Sequence, residues 1–412
     1  MQTLFICSTA VLVYVYFGYP LLISVLSRLS RPHTRDESYR PSVCILVAAY
    51  EEAAVIRQKM DNFRQIQYPE DLLRIVVVSD GSTDGTDDIV REFSDPRITL
   101  LRQEPRAGKS SALAMGLEQI FDDVVVLTDA NTMFDPQAVT HLVTNLADPS
   151  VGVVTGEVRL VDDKPGYTES EGAYYKYEMH LQACESRFWS VMGVDGALYA
   201  TRRELIEAPD PATILDDFTI SMEIAKRGHR IVFEPRALAY EDAPPHMDDE
   251  FKRKTRTAAG AFQSLHQGWG VPRHNARLIL PYVSHKLLRW LSPCFMLLSL
   301  VSNIALVATA DGTGQLPNIW ITLLASQSAF YLAAAAGLLL PVMRSLKFVS
   351  VPMYLVLMNA AMANGLLRFL RGQSSVRWNR TKRSDTTLPT GEPSTKQQEA
   401  ESPAEPAMAK QR

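Results

Sequence analysis

The hydrophobic positions of the chain fall into two regimes. Leu4 to Leu26 form an almost uncharged apolar run, and three more lie near Leu291–Ala310, Ile319–Leu340 and Phe348–Leu370. Each is close to the ~20 residues that a membrane-spanning helix needs. Charged residues concentrate between Arg28 and Arg289, so the pattern predicts a soluble domain bracketed by membrane segments. Within that domain the apolar runs are short. Val43–Ala48, Leu73–Val78 and the Val-rich run from Val124 read as strands buried on both faces, with another at Arg97–Leu101. Glu51–Gln67, Asp87–Phe93, Lys109–Phe121 and a segment opened by Asp135–Pro136 read as helices, Asp before Pro being a good helix start. This alternation predicts an α/β domain with a mostly parallel, doubly wound sheet.

Beyond Val151–Thr155 the pattern is less regular. It predicts an aromatic-rich helix at Ala173–Phe188, a small loop at Gly193–Val194–Asp195–Gly196, and a helix at Asp217–Arg227 stopped by Gly228. Short strands at Ile231–Phe233 and Ala237–Tyr240 follow, then a basic helix at Asp248–His266 and an amphipathic one at Arg277–Trp290 suited to a membrane surface. From Ser384 onward the composition is that of a disordered tail. The chain therefore divides into an anchor (1–27), an α/β domain (40–272), an interfacial helix (273–290), membrane segments (291–371) and a basic, then disordered, tail (372–412).

Charge refines the topology. No basic residue precedes the first run and no small-residue cleavage pattern follows it, whereas Arg28, Arg31, Arg35 and Arg40 do. A retained anchor with the charged domain in the cytoplasm is expected. Three further spans would put Arg371, Arg377, Arg380, Lys382 and Arg383 outside, against the positive-inside rule. We therefore expect one segment not to span: Phe348–Leu370, interrupted by Pro352, Asn359, Asn364 and Arg368, as an interfacial or re-entrant segment, with Asp311–Asn318 as an external loop. A net charge of -4 argues for no nucleic-acid partner, and Cys7, Cys44, Cys184 and Cys294, scattered singly, form neither a disulfide framework nor a zinc site.

Chemistry-bearing residues cluster where strands end, which is where open α/β sheets bind ligands. Asp129 and Asn131 close the Val124 strand and could share a divalent cation with a diphosphate, although Asp-x-Asn is also an ordinary turn. Ser79–Thr86 combines carboxylates, hydroxyls and two glycines, with Asp80 offering an acceptor to a base or ribose. Arg106–Ser110 lacks the Walker pattern because position 103 is Gln; Lys109 could still hold a phosphate at a helix start, or be solvated. Asp216 and Asp217 could cap their helix, and the run Arg253–Thr257 could be a solvated or lipid-facing surface. Trp189, Asp195 and Tyr199 are acceptor candidates by location, with core packing the alternative for the aromatics.

Taken in order, Ala48–Ala49–Tyr50–Glu51, Ser79–Asp84, Gly108–Lys109–Ser110, Thr128–Asp129–Ala130–Asn131 and Leu215–Asp216–Asp217 resemble family 2 glycosyltransferases over residues 40 to 290. The membrane-bound branch with cellulose, hyaluronan, chitin and poly-N-acetylglucosamine synthases is the nearest likeness. The resemblance implies a GT-A fold and a nucleotide-sugar donor, most often a UDP-sugar. By position, Ala49, Glu51 and Asp80 would hold base and ribose. Asp129 and Asn131, where the family more often has Asp, would face the diphosphate and its Mg²⁺ or Mn²⁺. Asp217 matches the family's general base, and Asp216 stands in place of Glu. Arg256 matches the Arg of Gln-x-x-Arg-Trp and could contact diphosphate, with Arg253 at the Gln position and Thr257 in place of Trp. Trp378–Arg383 resembles a tail element that approaches the active-site mouth of related synthases, or is a plain basic juxtamembrane cluster.

The expected protein is thus an inverting, metal-assisted glycosyltransferase of a bacterial-type inner membrane, acting on a lipid-linked or polysaccharide acceptor among membrane lipids, with polysaccharide-export proteins as further partners. Alternatives are a polyprenyl-phosphate glycosyltransferase and a non-catalytic nucleotide-sugar-binding scaffold.

Overall fold

A computed structural model describes residues 1–161, 168–242, 247–272, 275–309 and 317–373. Eight strands make one sheet: β1 (Val43–Ala49), β2 (Leu73–Asp80), β3 (Ile98–Gln103), β4 (Val124–Asp129), β5 (Met133–Phe134), β6 (Val151–Val161), β7 (Tyr199–Arg202) and β8 (Arg230–Asp242). Their order is β3-β2-β1-β4-β7-β6-β8-β5. The first four are parallel, with Val43 of β1 opposite both Leu73 and Val124. β7 then runs antiparallel to β4 and β6, while β6 and β8 are parallel.

The reason β1 reads as a continuous apolar run is that the sheet is covered on both faces. Val43, Ile45, Val47 and Ala49 join one core, and Cys44, Leu46 and Ala48 the other. The chain leaves β1 for β2 on one side and reaches β4 on the other, so the crevice at the ends of β1 and β4 is the switch point where such sheets bind ligands.

The helices are α1 (Gln2–Leu29), α2 (Ile56–Phe63), α3 (Thr86–Glu92), α4 (Lys109–Leu117), α5 (Ala138–Asn145), α6 (Thr168–Phe188), α7 (Asp216–Lys226), α8 (Met247–Gln267), α9 (Ala276–Trp290), α10 (Ser292–Ala308), α11 (Pro317–Leu339) and α12 (Lys347–Leu370). Three expectations are corrected. The helix expected from Glu51 starts only at Ile56, because the preceding amides bind the β2 loop: Glu51 N–H donates to Ser82 Oγ at 3.1 Å, Glu52 N–H to Thr86 Oγ1 at 2.9 Å and Ala53 N–H to Asp84 Oδ2 at 3.0 Å. Asp135 caps a turn ahead of α5 by accepting from Gln137 N–H at 3.0 Å, so that helix starts at Ala138. The two short strands expected around Pro235 are one strand, β8, whose register against β6 shifts between Thr155 and Glu157 to absorb the missing proline donor.

Among the described residues three helices are long and apolar enough to cross a membrane: Gln2–Leu29, Ile319–Leu339 and Lys347–Leu370. α9 and α10 form a pair bent by 59°, a broken span or re-entrant loop, and α10 alone has 17 residues. α12 is a continuous helix through Pro352, but its C-terminal half packs on α8 of the α/β domain: a side chain at Gly365 would meet Ala258 Cβ at 2.4 Å and Ala259 N at 2.8 Å.

Candidate active site

Asp80 ends β2 fully buried, and its carboxylate organises the Arg106–Gly108 loop. Oδ1 accepts from Gln103 Nε2 at 2.5 Å and Ala107 N–H at 2.8 Å, and Oδ2 from Gly108 N–H at 2.9 Å. Arg106 lies over the Tyr50 ring, 3.4 Å from its centroid. Glu51, in a left-handed conformation with φ 55°, accepts from Thr83 N–H at 2.8 Å and Thr83 Oγ1 at 3.0 Å. Ala49, Glu51 and Asp80 therefore build one shelf of loops beside the switch point, with Ala49 fully buried in the core.

The shelf adjoins a cavity of about 670 Å³ that collects most of the other expected site residues: Lys109, Asp129, Asn131, Asp195, Asp216 and Asp217. Lys109, opening α4, reaches Asp129 Oδ1 at 2.8 Å and Asp216 Oδ2 at 3.6 Å. Burial disfavours its ammonium, but Asp129, Asp216 and Asp217 outweigh this and hold its pKa above the ordinary lysine value. Asp217 stands in the first turn of α7 and accepts from Phe218 N–H at 2.6 Å. Burial first, and then the neighbouring Asp216, push its pKa up to about 7, against the pull of Lys109. A carboxylate so poised can take a proton near neutral pH. Arg253, Lys254, Arg256 and Thr257 line the opposite wall from α8, and Arg253 is paired with Glu250 at 2.9 Å. The arrangement sets a cationic wall and a central lysine against carboxylates at two strand and helix ends, which suits a phosphorylated ligand whose charge must be both attracted and reacted.

The chain matches a family model described as "Glycosyltransferase like family 2" over residues 41–260, more than half of its length. The chain belongs to glycosyltransferase family 2. It is 30% identical over 233 residues to a probable glycosyltransferase, YdaM, of Bacillus subtilis (strain 168), and 26% identical to the poly-beta-1,6-N-acetyl-D-glucosamine synthase of Staphylococcus aureus (strain COL). These alignments cover 53% and 54% of this glycosyltransferase, which spans 55% of each relative's length. The mannosyltransferase PcManGT of Pyrobaculum calidifontis, solved with GDP-Man and Mn²⁺, is 26% identical, with a TM-score of 0.69 over 90% of this chain and 99% of that one. The GT-A architecture expected from the motifs is therefore the fold of this enzyme.

Two aromatic candidates are corrected. Tyr199 is 1% exposed, lies in β7 and packs in the core, so it cannot touch an acceptor. Trp189 packs against Arg230 and Arg277, whose guanidinium carbons are 5.0 Å and 4.9 Å from its ring centroid, and it is not part of the cavity lining. Trp378 falls outside the described residues. The sequence reading missed Glu241 at the end of β8. It lines the cavity and accepts from Thr132 Oγ1 at 2.6 Å, and burial with Asp129 and Asp195 pushes its pKa up to about 7. It also missed Tyr174, Tyr175 and Tyr354, which bring α6 and α12 to the cavity wall. A lone Glu at a strand end and tyrosines on helices carry no motif that would have flagged them.

Proposed function

We propose that this family 2 enzyme moves a sugar with inversion from a nucleotide sugar, most simply a UDP-sugar, to a hydroxyl of a lipid-linked or polysaccharide acceptor at the cytoplasmic face of a membrane. The observation that carries the reading is the position of Asp217: a carboxylate held near neutrality, in one cavity with Asp129, Lys109 and the α8 arginines. Asp217 takes the proton of the acceptor hydroxyl as its oxygen bonds to the anomeric carbon. The bond from that carbon to the diphosphate breaks, and the nucleoside diphosphate leaves. Lys109, Arg253 and Arg256 stabilise the charge that builds on the leaving group. Asp216 keeps Lys109 in place from one side and Asp129 does so from the other.

Asp129 and Asn131 offer a carboxylate and a carboxamide oxygen, the hard donors that Mg²⁺ or Mn²⁺ takes. Among the described residues no group of three or more His, Cys, Asp or Glu could hold a metal alone, so such an ion needs diphosphate oxygens as well. That fits a cation arriving with its donor. When bound, it would supply positive charge to the departing diphosphate. Asp80 and Glu51, now engaged with their own loops, shape the shelf for the base and ribose. Asp195 and Thr257 face the space left for the acceptor.

Membranes carrying Asp217→Asn should still bind donor but lose transfer from radiolabelled UDP-sugars by about 10²–10⁴-fold, the usual worth of a positioned base. Undiminished turnover would refute the base and favour a phosphate acceptor, as in polyprenyl-phosphate glycosyltransferases. Sizing the product separates polymer from lipid-linked monosaccharide.

A further inference from the structure

Beneath the turn that carries Asp129 and Asn131, α2 buries two polar side chains in a face that is otherwise apolar. Ile56, Met60 and Phe63 of α2 join the core, yet Lys59 is fully buried among them and Asn62 nearly so. Both are spent on one segment. Lys59 Nζ donates to the main-chain carbonyl of Thr132 and, at 3.1 Å, to Thr128 Oγ1. Asn62 Nδ2 donates to the Phe134 carbonyl at 2.8 Å, and its Oδ1 accepts from Phe134 N–H at 2.8 Å. The ammonium also lies 4.2 Å from the centroid of the Phe134 ring and 5.0 Å from that of Phe63. From the other side Thr132 Oγ1 donates to Glu241. The last residue before Asp129, the first after Asn131 and the short strand beyond are thus gripped by side chains, while Asp129, Ala130 and Asn131 face the cavity.

A methionine at position 59 would fill the same volume between the two rings. It would also leave a buried carbonyl without its donor. Packing alone therefore does not account for a lysine here.

We propose that Lys59 is a positioning residue of the donor site, which holds the Asp129–Asn131 turn from behind in the conformation that presents both side chains to a nucleoside diphosphate and its divalent cation. Lys59 touches no ligand itself; it acts through Thr128 and Thr132. The inference rests on reading Asp129 and Asn131 as the diphosphate side of the cavity. Groups that orient ligating residues in this way typically change affinity by about 10- to 100-fold when removed.

The test uses the full chain in detergent, with Lys59→Met and Lys59→Gln. Titration calorimetry with UDP and with GDP, each with and without Mn²⁺, is read beside thermal unfolding. Wild type should bind one of the two diphosphates in a Mn²⁺-dependent way. Folded Lys59→Met should bind it at least about tenfold more weakly and lose most of the Mn²⁺ dependence, and Lys59→Gln, which restores a donor to the Thr132 carbonyl, should recover part of the loss. Unchanged affinity in a folded Lys59→Met protein would overturn the proposal. So would failure of both variants to fold, which would make Lys59 a strut of the core and nothing more. Wild type that binds neither diphosphate would instead remove the donor-site reading itself, and this inference with it.

Discussion

A methyl group at position 196 would stand 2.7 Å from Asp217 Oδ2 and 3.2 Å from its Cγ. The closest contact is with the free end of a side chain, and Asp217 Cβ at 3.2 Å need give by only a few tenths of an ångström, so the carboxylate can swing away at little cost to the fold. Gly196→Ala should therefore leave the unfolding midpoint nearly unchanged while turnover drops on the order of 10²-fold, the usual cost of a small misplacement of a reacting group. Unfolding scans beside transfer assays check both halves. The raised pKa of Asp217 makes a second, signed prediction. Its folded value of about 7 lies above the ordinary 3.8, so the protonated form favours folding, a contribution fully present below pH ~4 and lost as pH rises through about 7. Asp217→Asn should then gain stability over wild type as pH rises from 4 to 8, and kcat/KM of wild type should fall as pH drops below 7. Equal stability of the two at both pH values would contradict the assigned burial. Asp129 and Asp217 were legible in the sequence because each closes a run or opens a helix within a recognisable motif. Lys59 and Glu241 were not, since only the tertiary fold brings them to Thr132 and the cavity, and nothing local marks a lysine in an apolar helix face as buried.

At the scale of elements, α8 is the part that couples membrane-side packing to the cavity. Its Gly365 contact on α12 leaves no room even for a Cβ against Thr255 O, 2.8 Å away. On the same helix, a Cβ at Gly260 would meet Leu215 Cγ at 2.6 Å, in the segment just before Asp216 and Asp217. α8 also carries Arg253 and Arg256. Gly365→Val must push on backbone, and should cost about 1–3 kcal/mol of stability together with weaker donor binding. Leu367→Ala, on the exposed side of α12, should cost little in either assay. Equal effects of the two would mean that α12 does not brace α8. The strands of this fold were readable because β1, β2 and β4 are covered on both faces and so appear as unbroken apolar runs. β7 was not, being four residues long and antiparallel, and the start of α2 was missed because the loop after β2 takes the amides that would have extended the helix.

In the whole molecule, α1, α10 and α11 pack as a bundle whose two ends differ. Tyr14 Oη pairs with Ser284 Oγ at 2.8 Å, and Tyr19 Oη donates to Glu185 at 2.5 Å, so the end of α1 sits on the catalytic domain. Phe5 meets Trp320 at the far end, with ring centroids 5.6 Å apart. Thr9 and Gln327 both bond Ser299 between those ends. α11 therefore returns toward the catalytic domain, where Gly337 faces Met353 and the Tyr354 ring lies tilted, 5.1 Å from that of Tyr174 of α6. No Lys or Arg occurs between Trp290 and Met343, whereas Arg344 and Lys347 follow the return, Arg28 stands in the last turn of α1 and Arg31 follows it. The positive-inside rule predicts an external far end, with α12 along the cytoplasmic surface. With Cys7 and Cys294, both exposed, first changed to Ser, a cysteine at Thr309 should react with a membrane-impermeant maleimide in intact cells, and one at Ser345 should react only after lysis. Labelling of position 345 in intact cells would put Arg344 and Lys347 outside, against the positive-inside rule, and would remove α12 from the cavity wall that Tyr354 helps to form.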